Sequence, residues 1–158
     1  MIIISDTSII TNLIQVSKID ILPAVFGQII IPEAVFKELS ILDDQLRVMG
    51  SLQWLEVRAV NNATLVSELC QTLDVGEAEA IVLALESHAD YLLMDERKGR
   101  GKAKELGIPV TVLLGVLLKA KVIGVLPAVR PVMDELISVN GFHIHRNVYD
   151  EVIRLAQE

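Results

Sequence analysis

The sequence predicts an α/β fold built on a mainly parallel sheet, and two observations carry that prediction. Short apolar runs, Ile2-Ile3-Ile4 near the start and Tyr91-Leu92-Leu93-Met94 later, read as strands covered on both faces, which is the habit of parallel sheets. Each run stops on a carboxylate, Asp6 just past Ser5 and Asp95 directly after Met94. Between and after such runs, apolar residues recur at helical spacing, so strand and helix alternate along the chain. Ligands of these sheets bind beyond the carboxyl ends of the strands. Asp6 and Asp95 both occupy that position.

After the first strand, Thr7 and Ser8 can cap the helix traced by Ile9, Ile10, Leu13 and Ile14. Their hydroxyls can equally orient Asp6 or a bound water, so Asp6 has two readings at this level, helix cap and site acid. Residues 19–26 form a second, short helical piece closed by Gly27, residues 28–31 a strand, and Pro32 suits the first turn of the next helix. Val35, Phe36, Leu39 and Leu42 make that helix's apolar stripe, with Glu38 on its edge, where an inward-facing acid needs a partner. Glu33, in the first turn, is explained by the helix dipole. Residues 43–51 are polar and turn-like. Residues 54–60 alternate as an edge strand should, and Trp54 reads as core, since no second aromatic accompanies it as a stacking platform would require. Asn61 and Asn62 open a helix over 63–72, in which Cys70 is read as a small buried residue.

The stretch Leu73-Asp-Val-Gly-Glu-Ala-Glu-Ala-Ile-Val-Leu-Ala-Leu-Glu contains two glutamates that need different explanations. Asp74 and Glu77 stand three apart at the helix start, an Asp-x-x-Glu version of a capping box, which gives Glu77 a structural job. Glu79 has none. It sits among Ala78, Ala80, Ile81, Val82 and Leu83, where an unpaired carboxylate would cost several kcal/mol, so it faces a wet cleft or binds something positive. Two positions on a helix differ by about 200 degrees, so Glu77 and Glu79 cannot share one site. Glu79 is taken as the site acid.

Past Asp95 the chain turns basic, with Arg97, Lys98, Arg100, Lys102 and Lys104 in a loop and helix start. Arg97, Lys98 and Arg100 are candidate phosphate contacts beside the acids, and the same run also reads as a solvated surface. No phosphate-binding glycine loop or dinucleotide fingerprint is present. Residues 107–112 read as another strand, 113–120 as an apolar helix and 128–136 as a further helix. Residues 141–145 are extended before a last amphipathic helix with Val148, Val152, Ile153 and Leu155 on its apolar side. His143 and His145 alternate and can reach one metal together, but no acid or cysteine stands at ligand spacing.

Composition bounds the rest. The 158 residues suffice for one domain with a large core, 1–158, in which about 125–158 is a C-terminal helical extension. Hydrophobic residues make up 52% of the chain, yet the apolar run over 110–118 ends at Lys119 before reaching the length of a membrane span. A start without basic residues, its apolar run cut at Asp6, does not make a secretory signal, and one cysteine allows no internal disulfide, so a cytoplasmic setting is expected. The net charge of −7 opposes broad electrostatic wrapping of nucleic acid and leaves room for a local basic patch or for a cation that cancels clustered acids.

Asp6, Glu38, Glu79 and Asp95 come from four elements that a parallel sheet can gather. Crowded carboxylates repel unless protonated or neutralised, and a hard divalent cation, Mg²⁺ or Mn²⁺, neutralises them with oxygen ligands. Such an ion supports phosphodiester hydrolysis by water, and no Ser/His/Asp or Cys/His arrangement offers a protein nucleophile instead. At this point the motifs resemble those of the PIN-domain nucleases, the family of the VapC-type toxins. Ile-Ser-Asp6-Thr-Ser resembles the first acidic motif, Ile-Pro-Glu-Ala-Val-Phe-Lys-Glu38-Leu the second, Glu79-Ala-Ile-Val-Leu-Ala the third and Leu-Leu-Met-Asp95-Glu-Arg the fourth. Beyond residue 115 the chain is similar to an uncharacterised prokaryotic branch of PIN-like proteins. The resemblance implies a three-layer α/β/α sandwich, with RNA as substrate of a metal-dependent endoribonuclease. It also implies a homodimer and, if the protein is a toxin, a small antitoxin partner. The alternative is a non-catalytic PIN-like module that binds nucleic acid or protein. The apolar helix over 113–120 and the last helix are the expected dimer surface.

Overall fold

The computed structural model describes residues 1–41 and 52–158. Its strands, β1 (Ile3–Ser5), β2 (Ile29–Pro32), β3 (Leu55–Arg58), β4 (Tyr91–Leu93) and β5 (Val110–Thr111), form one parallel sheet in the order β3-β2-β1-β4-β5. Ile4 pairs with Ile30 on one side, and Ser5 pairs with Leu93 on the other, so the first strand of the chain is the middle of the sheet.

Side chains alternate across each strand, and here the alternation sorts them into two cores. Ile3, Ile29, Ile31 and Leu93 enter one core, while Ile4, Ile30, Leu92 and Met94 enter the other. The first is closed by α1 (Thr7–Gln15), α2 (Ile21–Phe26), α3 (Glu33–Leu39), α7 (Leu113–Val122), α8 (Arg130–Asn140) and α9 (Arg146–Leu155). The second is closed by α4 (Ala63–Leu69), α5 (Val75–Glu86) and α6 (Arg97–Glu105). The result is a sheet between two helical layers. Both faces are covered, which is why the strands are apolar without interruption.

The strand order reverses between β1 and β4, and in doubly wound sheets that reversal opens a crevice at the carboxyl ends. Asp6 follows β1 directly, its amide donating to the Leu93 carbonyl at 3.0 Å, and Asp95 lies just past β4. The C-terminal helices are tied back to the rest of the domain. Asn140 Nδ2 donates to Asn12 Oδ1 and to the Asn12 carbonyl, both at 3.0 Å, joining α8 to α1. Glu158 accepts from the Val129 amide at 2.7 Å and the Arg130 amide at 3.1 Å and pairs with Lys121 at 3.3 Å, so it caps α8 from outside that helix.

Several elements differ from the sequence expectation. The helix expected over 128–136 is α8, displaced because Pro131 sets its first turn and Gly141, at φ +64°, ends it in the left-handed region. Pro32 ends β2 and precedes α3 rather than lying inside its first turn, since it still pairs with Arg58. Cys70 is exposed, not buried: α4 stops at Leu69, which enters the core, and Cys70 at the helix end turns away from it. The basic run after Asp95 is helical throughout α6. Leu42 and the turn-like 43–51 lie outside the described residues. Of the apolar helix expected to be shared with a second copy, Leu113, Val116, Leu117 and Ala120 of α7 are buried in the domain's own core, while Val122 at its end is exposed. Among the described residues no helix is long and apolar enough to cross a membrane.

If both faces of the sheet are sealed, truncation on either side opens a cavity. Ile3→Ala and Ile4→Ala, in opposite cores, are each expected to lower stability by about 2–5 kcal/mol in urea unfolding. A large loss for one and none for the other would mean that one face is open.

Candidate functional site

The crevice between β1 and β4 holds a cavity of about 490 Å³ lined by six carboxylates, Asp6, Glu38, Asp74, Glu77, Asp95 and Glu96, with Thr7, Ser8, Thr11, Asn12 and Phe142. Among the described residues no lysine or arginine lines it.

Asp6 is 3% exposed, and as N-cap of α1 it accepts from the Ile9 amide at a long 3.4 Å. Ser8 Oγ stands 3.4 Å from both of its carboxylate oxygens. The two readings of Asp6 are therefore one: it caps the helix loosely and presents its carboxylate to the cavity. Burial pushes its pKa up to about 8, with Asp95 and Glu77 adding repulsion against the Ile9 and Ser8 hydrogen bonds. Asp95 Oδ1 accepts from the Leu113 amide at 2.9 Å, capping α7, which begins at Val112 without a cap of its own. Asp95 Oδ2 is buried and has no hydrogen-bond partner. Burial raises the Asp95 pKa as well, against the Leu113 amide and the nearby Arg100 charge. Glu38 accepts from Thr7 Oγ1 and lies against Gly76, where a Cβ would come within 2.9 Å of its carboxyl carbon.

The structure does not bring Glu79 to this cavity. Glu79 Oε1 accepts from the Ala34 amide at 3.2 Å, in the first turn of α3, whose N-cap is Pro32 and offers no side-chain acceptor. The positive partner that its apolar surroundings demanded is a helix N-terminus. It is Glu77 that lines the cavity, by the same 200-degree rotation that separates the two residues. Asp74 Oδ1 does cap the Glu77 amide at 2.8 Å, but the Glu77 carboxylate faces the acids, and burial followed by the Asp74 charge raises its pKa to about 7. Asp74 and Glu77, read from the sequence as a capping box alone, and Glu96, to which the sequence drew no attention, are thus cavity acids. Of the basic residues, Arg97 and Lys98 line a separate surface cleft with Lys102 and Glu105, whereas Arg100 lies beside Asp95.

A family model described as a PIN domain matches residues 2–158. The chain belongs to the PIN-domain family. No curated protein and no solved structure matches it significantly. PIN domains are a nuclease-like family whose nucleases typically use divalent metal ions. Among the described residues, no three acid, histidine or cysteine side chains converge as a ready-made ion cage. The donor set nevertheless fits a hard cation that keeps most of its water, since Mg²⁺ binds through one or two carboxylates and Asp95 Oδ2 has a free, buried oxygen to offer.

Three outcomes follow for this PIN domain, the first of them without metal. Between about pH 4, where an unfolded aspartate ionises, and about pH 8, where Asp6 does so in the fold, the folded chain holds the extra proton, so stability falls as pH rises through that window. Asp6→Asn is expected to flatten that slope and to gain on the order of 2–5 kcal/mol over the parent at pH 8 in chelator; an unchanged slope in the variant would rule out Asp6 as its source. Glu79→Ala is expected to cost about 0.5–2 kcal/mol, as a lost cap does, while Mn²⁺ affinity by calorimetry stays unchanged. Gly76→Ala is expected to do the opposite, displacing Glu38 and weakening Mn²⁺ binding at little cost in stability.

Proposed function

We propose that this PIN domain is a metal-dependent endoribonuclease that hydrolyses phosphodiester bonds in single-stranded RNA. The observation that carries the reading is the convergence of Asp6 and Asp95 at the switch point: Asp95 Oδ2 is buried without a hydrogen-bond partner, in a cavity that six carboxylates line and, among the described residues, no lysine or arginine does. Asp6 and Asp95 would hold Mg²⁺ or Mn²⁺, with Glu38 and Glu77 accepting hydrogen bonds from its waters. When bound, the ion supplies an activated water and neutralises charge on the phosphodiester and the leaving oxygen. Thr7 holds Glu38 by its hydroxyl, and Ser8 and the Ile9 amide orient Asp6. Arg97 and Lys98, on their separate cleft, would contact phosphates farther along the strand.

A role as the toxin of a toxin–antitoxin pair fits this reading, with a small antitoxin protein covering the acidic cavity, and so does a homodimer in the cytoplasm. A second copy would cover Val122, Val139 and Leu155, which are exposed on α7, α8 and α9. The single-domain organisation over 1–158 belongs to the same proposal. The lack of a three-ligand cage among the described residues favours one other reading, a non-catalytic PIN-like module that binds nucleic acid or protein.

Purified protein is expected to cut single-stranded RNA with Mn²⁺ or Mg²⁺ and to stop in chelator. Asp6→Asn and Asp95→Asn should each slow cleavage by at least about 100-fold, and Glu79→Gln should leave it nearly unchanged. Equal cleavage by parent and Asp6→Asn would identify a contaminating nuclease, and calorimetry without Mn²⁺ binding at neutral pH would select the non-catalytic reading.

A further inference from the structure

Next to the acidic cavity lies a second cleft of about 370 Å³, and the two share Asp95 and Phe142 as a common wall. Its character is opposite. Arg100, His143 and His145 line it with apolar Val148, and among its described lining residues Asp95 is the sole acid. Arg100 Nε is buried without a hydrogen-bond partner, and no ion pair joins Arg100 to Asp95 among the described residues, although its charge lowers Asp95's hold on a proton. A buried guanidinium donor left unmade costs stability, and its planar fork matches phosphate oxygens. The rings of His143 and His145 stand edge-on with centroids 4.7 Å apart, so two imidazole N–H donors accompany the guanidinium. The segment that carries them follows α8, which the Asn140 contact to Asn12 fixes against the helix that begins at Asp6.

We propose that Arg100, His143 and His145 bind the phosphodiester adjoining the one in the acidic cavity, with Phe142 and Val148 against its sugar or base. The inference rests on the nuclease reading for its geometry, since a strand lying in the acidic cavity has to continue past the shared wall. In a chain of net charge −7, this cleft supplies the cationic contact immediately beside the acids.

The test uses full-length protein in chelator, with inorganic phosphate and a 5′-phosphorylated uridine dinucleotide as probes. Ring signals of His143 and His145 in ¹⁵N-edited NMR are expected to shift saturably, and the dinucleotide should bind more tightly than inorganic phosphate. By calorimetry, Arg100→Gln should weaken dinucleotide binding by about tenfold or more, and Lys37→Gln, at an exposed position of α3 outside both clefts, should change it little. The double variant His143→Gln/His145→Gln, altered at exposed positions, should show a comparable loss and carries the test if Arg100→Gln fails to fold. Unshifted histidine signals, equal affinity in all variants, or phosphate binding as tightly as the dinucleotide would overturn the proposal, the last marking a general anion site. Binding of an acidic peptide in place of the dinucleotide would also overturn it. Cleavage lost with dinucleotide binding intact would refute the nuclease reading alone, and cleavage without this binding would refute the cleft alone.

Discussion

Ser5 pairs with Leu93, and that register decides where two carboxylates end. The strands are two to four residues long, and nearly every side chain in the central ones is committed to a core above or below the sheet. Polar chemistry is left only to the positions where strands stop. Because β1 is central and β4 is its neighbour on the far side of the chain reversal, Asp6 and Asp95 emerge at the same edge, one buried at the start of α1 and the other capping α7. Slipping either strand by one residue would turn every core side chain to the wrong face. The hydrophobic pairing thereby fixes the acids against their own repulsion.

Asp6, buried in a cavity lined by five other carboxylates, violates the ordinary rule that buried charge is paired. A natural fold tolerates such a violation where function requires it. The surrounding protein limits the cost without cancelling it. Asp6 retains a weak cap, Asp95 satisfies one oxygen on a helix N-terminus, and Glu38 takes a threonine hydroxyl. Each contact leaves acceptor capacity unspent on the cavity side.

Asp6 and Asp95 were legible in the sequence because their positions follow from local pattern alone, an apolar strand ending on an acid. The parallel sheet, the edge placement of β3 and the caps at Asn62 and Asp74 are legible for the same reason. Glu79 misleads because its partner is remote in sequence. An acid in apolar surroundings signals a positive partner, but nothing nearby distinguishes a metal from the first turn of α3; the clue lay at Pro32, which leaves that turn without an acceptor. The basic run misleads in a related way. As a loop it can aim all its cations together, but the helix α6 divides them, sending Arg97 and Lys98 outward and Arg100 toward Asp95. Phe142, His143 and His145 reach the site only through the packing of α8 on α1, a contact across 128 positions that no local pattern announces.

Six of the described helices fall into two kinds by how their first turns are satisfied. α1, α4 and α5 carry their own caps, Asp6, Asn62 and Asp74, whereas α3, α7 and α8 begin on Pro32, Val112 and Val129 and borrow Glu79, Asp95 and Glu158 from elsewhere. Helices of the first kind can gain order before the sheet closes, while the second kind acquire their caps only once distant segments have met. For α7 the lender is itself one of the acids that line the cavity. Any excursion that withdraws Asp95 from the crevice also frays the start of α7, so local melting and loss of the site are a single event.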